Sequence, residues 1–256
     1  MSTEHDRDQV NSLAKGLGVM ELLAAHPAGL TLTEAAELAG MTRAGARRFL
    51  LTLVSAGYAT QDGRRFCLSP RLLSVARTWL DGSSLWSFAL GPMREVASAL
   101  KESCSAAVLS GEDVVYVQRV AGERITSVAL HVGTRLPAYC TSMGRVLLAG
   151  LEPAEVKALL KRAVIEANTA KTVTDRTKLA TVIADVAHRG YAVVDEELEL
   201  GLRSIAVPIR DRQGRTAAAV NVSTQSVRFS IREMERQILP LLKEAARQVE
   251  GYLAMH

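Results

Sequence analysis

The stretch Leu32–Phe66, LTEAAELAGMTRAGARRFLLTLVSAGYATQDGRRF, reads as helix, tight turn, helix and short charged hairpin. Thr33 stands where a hydroxyl can cap the first helix, with Ala36, Leu38 and Ala39 facing inward. Gly40 makes the turn, where a left-handed backbone is cheap for glycine. Thr42 caps a second helix, Arg43–Ala56, which Gly57 ends. Its apolar stripe is Ala46, Phe49, Leu50, Leu53 and Val54, and its other face carries Arg43, Arg47 and Arg48. Asp62-Gly63 between two short extended runs is a strong hairpin signal. The order predicts a winged helix-turn-helix.

The charge distribution agrees. Between residues 43 and 77 there are seven arginines and one acidic residue, a net +6, whereas the whole chain carries +4 and a pI near 9.1. The rest therefore nets −2, and the basicity is local, as expected of a nucleic-acid footprint. Arg43 and Arg47 share a helix face, at the end of a recognition helix that meets base edges. Thr33 and Thr42 hydroxyls, beside free helix N–H groups, suit phosphate oxygens. Ala44 is small enough for close approach and can touch a thymine methyl. Arg64 and Arg65 on the hairpin extend the contact to the backbone or minor groove. Three arginines on an isolated helix would read as a solvated face; the glycine turn and the charged wing beside them decide for double-stranded DNA.

Outward from this stretch, residues 1–11 read as a frayed arm. Ser12–Ala25 is a helix with Leu13, Leu17, Met20, Leu23 and Ala24 at helical spacing, stopped by His26-Pro27-Ala28-Gly29. Leu72–Leu80 is a further helix, and Asp81–Ser84 breaks it. Beyond, helices are expected at Leu85–Glu102, Ser142–Gly150, Pro153–Ala163, Asp175–His188 and Ile231–Leu253. Strands are expected at Ser105–Ser110, Val114–Val120, Ile125–Val132, Tyr191–Asp195, Arg203–Arg210 and Thr216–Ser223. Strands and helices without strict alternation make this half α+β.

A chain of 256 residues suits two domains. Three widely spaced cysteines, with no CxxC pair, fit a reduced cytoplasmic protein. The polar N-terminus is no signal peptide, and no apolar run reaches the ~18 residues a membrane span needs.

SLAKGLGVMELL, LTLTEAAELAGMTRAGARRFLLTL, DGRRFCLSPRLL, VGTRLPAYCTSMGRVLLA, DEELELGLRSIAVPIRDRQGR and AAVNVS, in this order, resemble the IclR family of bacterial transcriptional regulators. TRAGARRFLLTLV, RLPAYCTSMGRVLLA and ELELGLRSIAVP are more narrowly similar to its protocatechuate, 4-hydroxybenzoate and β-ketoadipate branch. The resemblance implies a winged helix-turn-helix over 1–70, a linker helix over 71–84 and a GAF-like α/β effector-binding domain over 85–256. It also implies a dimer or tetramer joined largely through the DNA-binding domains and linker helix, and an effector pocket lined by Leu136, Ser142, Met143, Asp195, Leu202, Ser204, Asn221 and Ser223. Ser142-Met143 and Asn221 depart from common family residues, so the pocket is reshaped.

The residues themselves point to an acid ligand. A strand gives way to a helix at Thr141-Ser142, where free N–H groups can hold a carboxylate. Arg135 and Arg203 are candidate anion clamps, since the guanidinium fork fits a carboxylate; the alternative is ion pairing with Glu196, Glu197 and Glu199. Asp195 serves either the pocket or a structural hydrogen bond. Asn221 and Ser223 fall on one face of a strand. For an enzyme, Cys140 at a helix start would need a base, and His131, the nearest in sequence, falls on an apolar strand. The other histidines show no metal-ligand spacing, and neither a phosphate loop nor a GxSxG elbow is present. No cofactor is expected. Function thus narrows to an effector-switched regulator or a ligand-independent architectural DNA-binding protein.

Overall fold

The computed structural model describes residues 10–82, 84–122 and 130–255, the side chains of 79–82 and 84 excepted. The chain divides into two compact units, Met1–Gly82 and Ser83–His256.

The first unit runs α1 (Asn11–Ala25), β1 (Leu30–Thr31), α2 (Leu32–Leu38), α3 (Arg43–Ser55), β2 (Ala59–Asp62), β3 (Arg65–Leu68) and α4 (Arg71–Gly82). β3 is the central strand of a small antiparallel sheet, with Leu30 opposite Phe66 and Gln61 opposite Phe66 on its other side. Val19, Leu23, Leu30, Ala35, Leu50, Ala59 and Phe66 form the core. This is the expected winged helix-turn-helix, with three corrections.

First, Thr31 and not Thr33 caps α2. Its hydroxyl accepts the Glu34 N–H at 3.3 Å, and the Glu34 carboxylate accepts the Thr31 N–H at 2.8 Å. Only a Thr three residues ahead of a Glu can close both bonds; Thr33 lies exposed in the first turn. Second, Leu38 is exposed, because α2 ends there and buries only Ala35 and Ala36. Third, α1 buries Val19 and Leu23, while Leu13 and Leu17 remain 62% and 47% exposed and Ala24 is exposed.

The second unit runs α5 (Ser84–Leu100), β4 (Ser103–Ser110), β5 (Asp113–Val120), β6 (Arg135–Pro137), α6 (Ser142–Ala149), α7 (Pro153–Arg162), α8 (Arg176–Arg189), β7 (Ala192–Asp195), β8 (Leu202–Arg210), β9 (Thr216–Gln225), α9 (Ile231–Glu233), a π-helical turn at Met234–Ile238, and α10 (Leu239–Met255). Six strands form one antiparallel sheet in the order β6-β5-β4-β9-β8-β7. α6, backed by α7 and α8, packs on the face that carries Ala107, Ala206 and Ala219; α5 and α10 pack against β4, β5, β8 and β9. Small residues under α6 allow close approach. Gly144 is obligatory there, since a Cβ would lie 2.2 Å from the Ala138 carbonyl oxygen.

Of the strand expected at Ile125–Val132, residues 125–129 lie outside the described residues. Leu130, His131 and Val132 are not in a strand; the chain turns there, with the Thr134 hydroxyl accepting the His131 N–H at 2.9 Å, and enters β6 only at Arg135. No helix among the described residues is long and apolar enough to cross a membrane.

Candidate nucleic-acid interface and ligand cavity

In the first unit, α3 presents Thr42, Arg43, Ala44, Arg47 and Arg48 to solvent while Ala46 and Leu50 anchor its other side in the core. The Thr42 hydroxyl accepts the Gly45 N–H at 3.2 Å, so it caps the helix before it can meet a phosphate. Among the described residues, Arg43, Arg47, Arg48 and Arg64 have no carboxylate partner. Arg65 differs. Its guanidinium donates to the Gly29 carbonyl at 2.7 Å and lies 3.6 Å from Glu34, so it braces the hairpin against the start of α2. Arg71 likewise donates to the Ala56 carbonyl at 2.7 Å and sits 5.0 Å over the Tyr58 ring. The first residue of α4 thereby closes the C-terminus of α3.

In the second unit, cross-strand register assembles a polar floor. Directly opposed residues of neighbouring strands point to the same side of a sheet. One row is Arg119 on β5, Ser105 on β4 and Asn221 on β9; the next is Ser103 on β4, Ser223 on β9, Ser204 on β8 and Val194 on β7. A bulge leaves Val117 unpaired, since Ala106 faces Gln118 and Ala107 faces Tyr116. The extra residue brings Tyr116 onto the same face as Arg119, three positions away. The start of α6 and the Leu198 and Leu202 side chains cover this floor. The result is a cavity of about 40 Å³ lined by Ser103, Tyr116, Arg119, Leu130, Cys140, Thr141, Ser142, Val194, Leu198, Leu202, Ser204, Asn221 and Ser223.

Two buried polar atoms in this lining have no hydrogen-bond partner among the described residues: Ser142 Oγ and Asn221 Oδ1. Asn221 donates its amide to Ser223 Oγ at 3.1 Å. Thr141 Oγ1 accepts the Gly144 N–H at 3.2 Å and caps α6. Arg119 donates to Ser105 Oγ and Ser103 Oγ, both at 3.2 Å. Burial pulls its pKa down, with Tyr116 opposing, although a guanidinium stays charged. Burial raises the Tyr116 phenol to about 12 and the Cys140 thiol to about 11. Cys140 is therefore a protonated thiol at neutral pH, opposite to what a nucleophile needs, and His131 is exposed in its turn.

The cavity thus gathers Ser142, Leu202, Ser204, Asn221 and Ser223 of the residues expected to line a pocket, and leaves five elsewhere. Met143 is fully buried in the core, and Leu136 packs half-buried against that core. Arg135 lies exposed on edge strand β6, donating to Asp113 at 3.1 Å and to Ser110. Arg203 donates to Asp195 at 2.6 Å and to the Ser226 and Phe229 carbonyls. Asp195 also pairs with Lys171 at 3.3 Å; burial pushes its carboxyl up, but Arg203 and Lys171 outweigh this and the net shift is downward. Neither expected clamp is free to take an anion. Among the described residues of the lining, Arg119 is the one with a cationic side chain, and the expected set omitted it together with Ser103, Tyr116, Leu130, Val194 and Leu198.

Comparison with known proteins gives concordant results. A model described as the bacterial transcriptional regulator IclR C-terminal domain matches residues 78–251, and one for the IclR helix-turn-helix domain matches residues 12–63. The Pca regulon regulatory protein of Pseudomonas putida is 42% identical over 95% of the chain and 84% of its own length. The crystal structure of a transcriptional regulator from Rhodococcus sp. RHA1 superposes with a TM-score of 0.81 at 43% identity, over 96% of this chain and 99% of that one. An IclR homolog from Microbacterium hydrocarbonoxydans, crystallised with 4-hydroxybenzoate, superposes with a TM-score of 0.82 at 26% identity, over 96% of this chain and all of that one.

Proposed function

The chain belongs to the IclR family of bacterial transcriptional regulators, and from that premise we propose that it is a cytoplasmic homo-oligomer, dimer or tetramer, that binds double-stranded operator DNA and is switched by a small carboxylic acid of aromatic catabolism. Protocatechuate, 4-hydroxybenzoate, β-ketoadipate and muconate are the candidates. In this reading residues 1–70 read DNA, 71–84 form the linker helix and 85–256 bind the effector. Arg43 and Arg47 meet base edges, with Thr42, Ala44, Arg48 and Arg64 completing the contact and Thr33 and Arg65 at its margin.

The observation that carries the proposal is the cavity with a cation and two orphaned buried polar atoms. Buried polar groups without partners are rare and costly, and a ligand that satisfies them recovers that cost. The 4-hydroxybenzoate complex of the Microbacterium relative supports the acid class. For self-association, the support is an open apolar groove between α1, α3 and α4 that includes Leu13, Leu17, Met20, Phe49, Leu53, Leu72 and Val75. Contiguous apolar surface of this kind marks an interaction face.

The size of the cavity supplies a mechanism. About 40 Å³ holds a few waters, so a ring-sized acid enters only if lining side chains move. The acid then binds an opened arrangement better than the closed one, which is the condition for a population shift.

The test pairs a thermal-shift screen of the four acids with operator binding, using duplexes selected from random sequence. One acid should raise the unfolding midpoint and change operator affinity. Stabilisation by none at millimolar concentration refutes the effector class; specific DNA binding with no response to any acid favours the architectural alternative.

A further inference from the structure

We infer that Arg119 is the residue that recognises the effector carboxylate, and that Ser103 and Ser105 hold its guanidinium in place for that task. The inference rests on the reading that the cavity is the effector site, and goes further by naming the group that makes it selective for an acid.

Charge partnership is decisive. A buried or half-buried arginine in a folded protein ordinarily faces a carboxylate, because desolvation without compensation is expensive. Arg203 has Asp195, Arg228 has Glu102, and Arg145, on α6, has Glu197. Arg119 is half-buried, and among the described residues it has two serine hydroxyls and no acid. A neutral hydroxyl orients a guanidinium without neutralising it, so the positive charge is left to act on whatever enters the cavity. Two of its five N–H donors are engaged by these serines.

The serines are themselves fixed. Ser103 Oγ also accepts the Gly122 N–H at 3.0 Å. Gly122 lies so close to the backbone at Glu102 and Ser103 that a Cβ would meet it at 2.7 Å. Ser105 sits in register between Arg119 and Asn221. The backbones of Arg119 and Asn221 therefore stand about two strand spacings, roughly 10 Å, apart, and the guanidinium reaches back over the intervening β4 towards Asn221, onto the Ser103 and Ser105 hydroxyls. A compact acid with its carboxylate at Arg119 can place a second polar group at Asn221 Oδ1 or Ser142 Oγ, the two orphans. Both ends of such a ligand are then matched, and the apolar walls Val194, Leu198 and Leu202 enclose its middle.

The experiment uses the full-length protein and compares Arg119→Gln, Arg119→Lys and Ser103→Ala/Ser105→Ala with wild type. Each is titrated calorimetrically with 4-hydroxybenzoate, protocatechuate, β-ketoadipate and muconate, and with their neutral amides or methyl esters. Wild type should bind at least one acid and discriminate against its neutral analogue. Arg119→Gln should weaken that acid roughly 10- to 100-fold, the usual worth of a charge-assisted hydrogen bond, and weaken the neutral analogue much less, so that the acid-to-neutral ratio falls towards one. Arg119→Lys should recover part of the ratio, and the double serine variant should lower it by less than Arg119→Gln. A merely structural arginine would weaken both analogues equally, and that outcome overturns the assignment. So does an Arg119→Gln protein that binds the acid like wild type, or a wild type that binds acid and neutral analogue alike. If wild type binds none of the acids, the effector reading itself fails, a result separate from loss of the ratio in the variants.

Discussion

Arg145 and Glu197 allow the sharpest energetic test of this fold. Their side chains are 4% and 9% exposed. Both terminal guanidinium nitrogens lie 2.7 Å from a carboxylate oxygen, and Arg145 Nε donates to the Tyr139 carbonyl at 3.0 Å. Glu197 also accepts the Val173 N–H at 3.0 Å. The pair ties α6 to the chain before α8 and to the chain between β7 and β8, two segments with no regular structure of their own. Replacing Glu197 by Leu strands a buried cation and orphans the Val173 N–H. Replacing Arg145 by Met strands a buried anion. Removing one partner of a buried pair costs roughly 3–5 kcal/mol. At roughly 2–4 °C per kcal/mol for units of this size, each single variant should melt about 6–20 °C lower. The Arg145→Met/Glu197→Leu double variant removes both charges together, so its loss should fall well short of the summed single losses, with a coupling of about 2 kcal/mol or more. Urea and thermal unfolding by circular dichroism measure all four proteins. A single loss under about 1 kcal/mol, the level of an exposed pair, would refute the reasoning, as would a double variant whose loss is simply additive.

Four further outcomes follow from the geometry. Arg43→Ala/Arg47→Ala should abolish specific operator binding, at about 1–3 kcal/mol per lost base contact, with effector binding unchanged; retained operator affinity in a gel-shift titration would remove α3 from its assigned role. Thr31→Ala should cost about 1 kcal/mol of stability through the lost cap, whereas Thr33→Ala should be near neutral, a contrast that reversed values in urea melts would overturn. Asp195 has a folded pKa below its ordinary 3.8, so the stability it contributes is present above that value and is lost as pH falls through the lower folded pKa; Asp195→Asn should flatten the pH dependence of the unfolding midpoint below about pH 4, and an unchanged acid slope would count against the ion pair. Burial lifts Cys140 to about 11 and Cys104 to about 12, so at pH 8 a disulfide reagent should modify the half-buried Cys67 first and reach the other two only on unfolding; rapid labelling of Cys140 would contradict its placement.

The first unit was largely legible because its signals are local. Helical spacing, a glycine turn and an Asp-Gly hairpin each act within a few residues, and the structure places every one. The Thr31 cap was legible too, in the Thr-x-x-Glu spacing, but Thr33 is equally close to the first apolar residues and competes for the role. The exposure of Leu13 and Leu17 was not legible. Periodicity marks an apolar face without saying whether the unit's own core or another surface covers it.

The cavity shows where local reading stops. Asn221 and Ser223 shared a face by simple alternation, and the Thr141-Ser142 helix start stood out as a change of structure. Tyr116 and Arg119, three apart in VVYVQRV, fall on opposite faces under strict alternation. Only the bulge at Val117 unites them, and a bulge is a property of the pairing with β4, not of β5 alone. The arginines carry the same lesson in electrostatic form. Arg135, Arg203 and Arg119 are one residue type in similar strand contexts, so sequence ranks them by proximity to a family-like segment. What separates them is whether an acid lies opposite, and that depends on register. Asp195 faces Arg203 across β7 and β8, Asp113 reaches Arg135 from β5, and Ser105 faces Arg119 across β4. An arginine opposite an acid is spent on the fold. An arginine opposite a serine is left without a counter-charge among the described residues, and that is the basis for assigning Arg119 to a ligand.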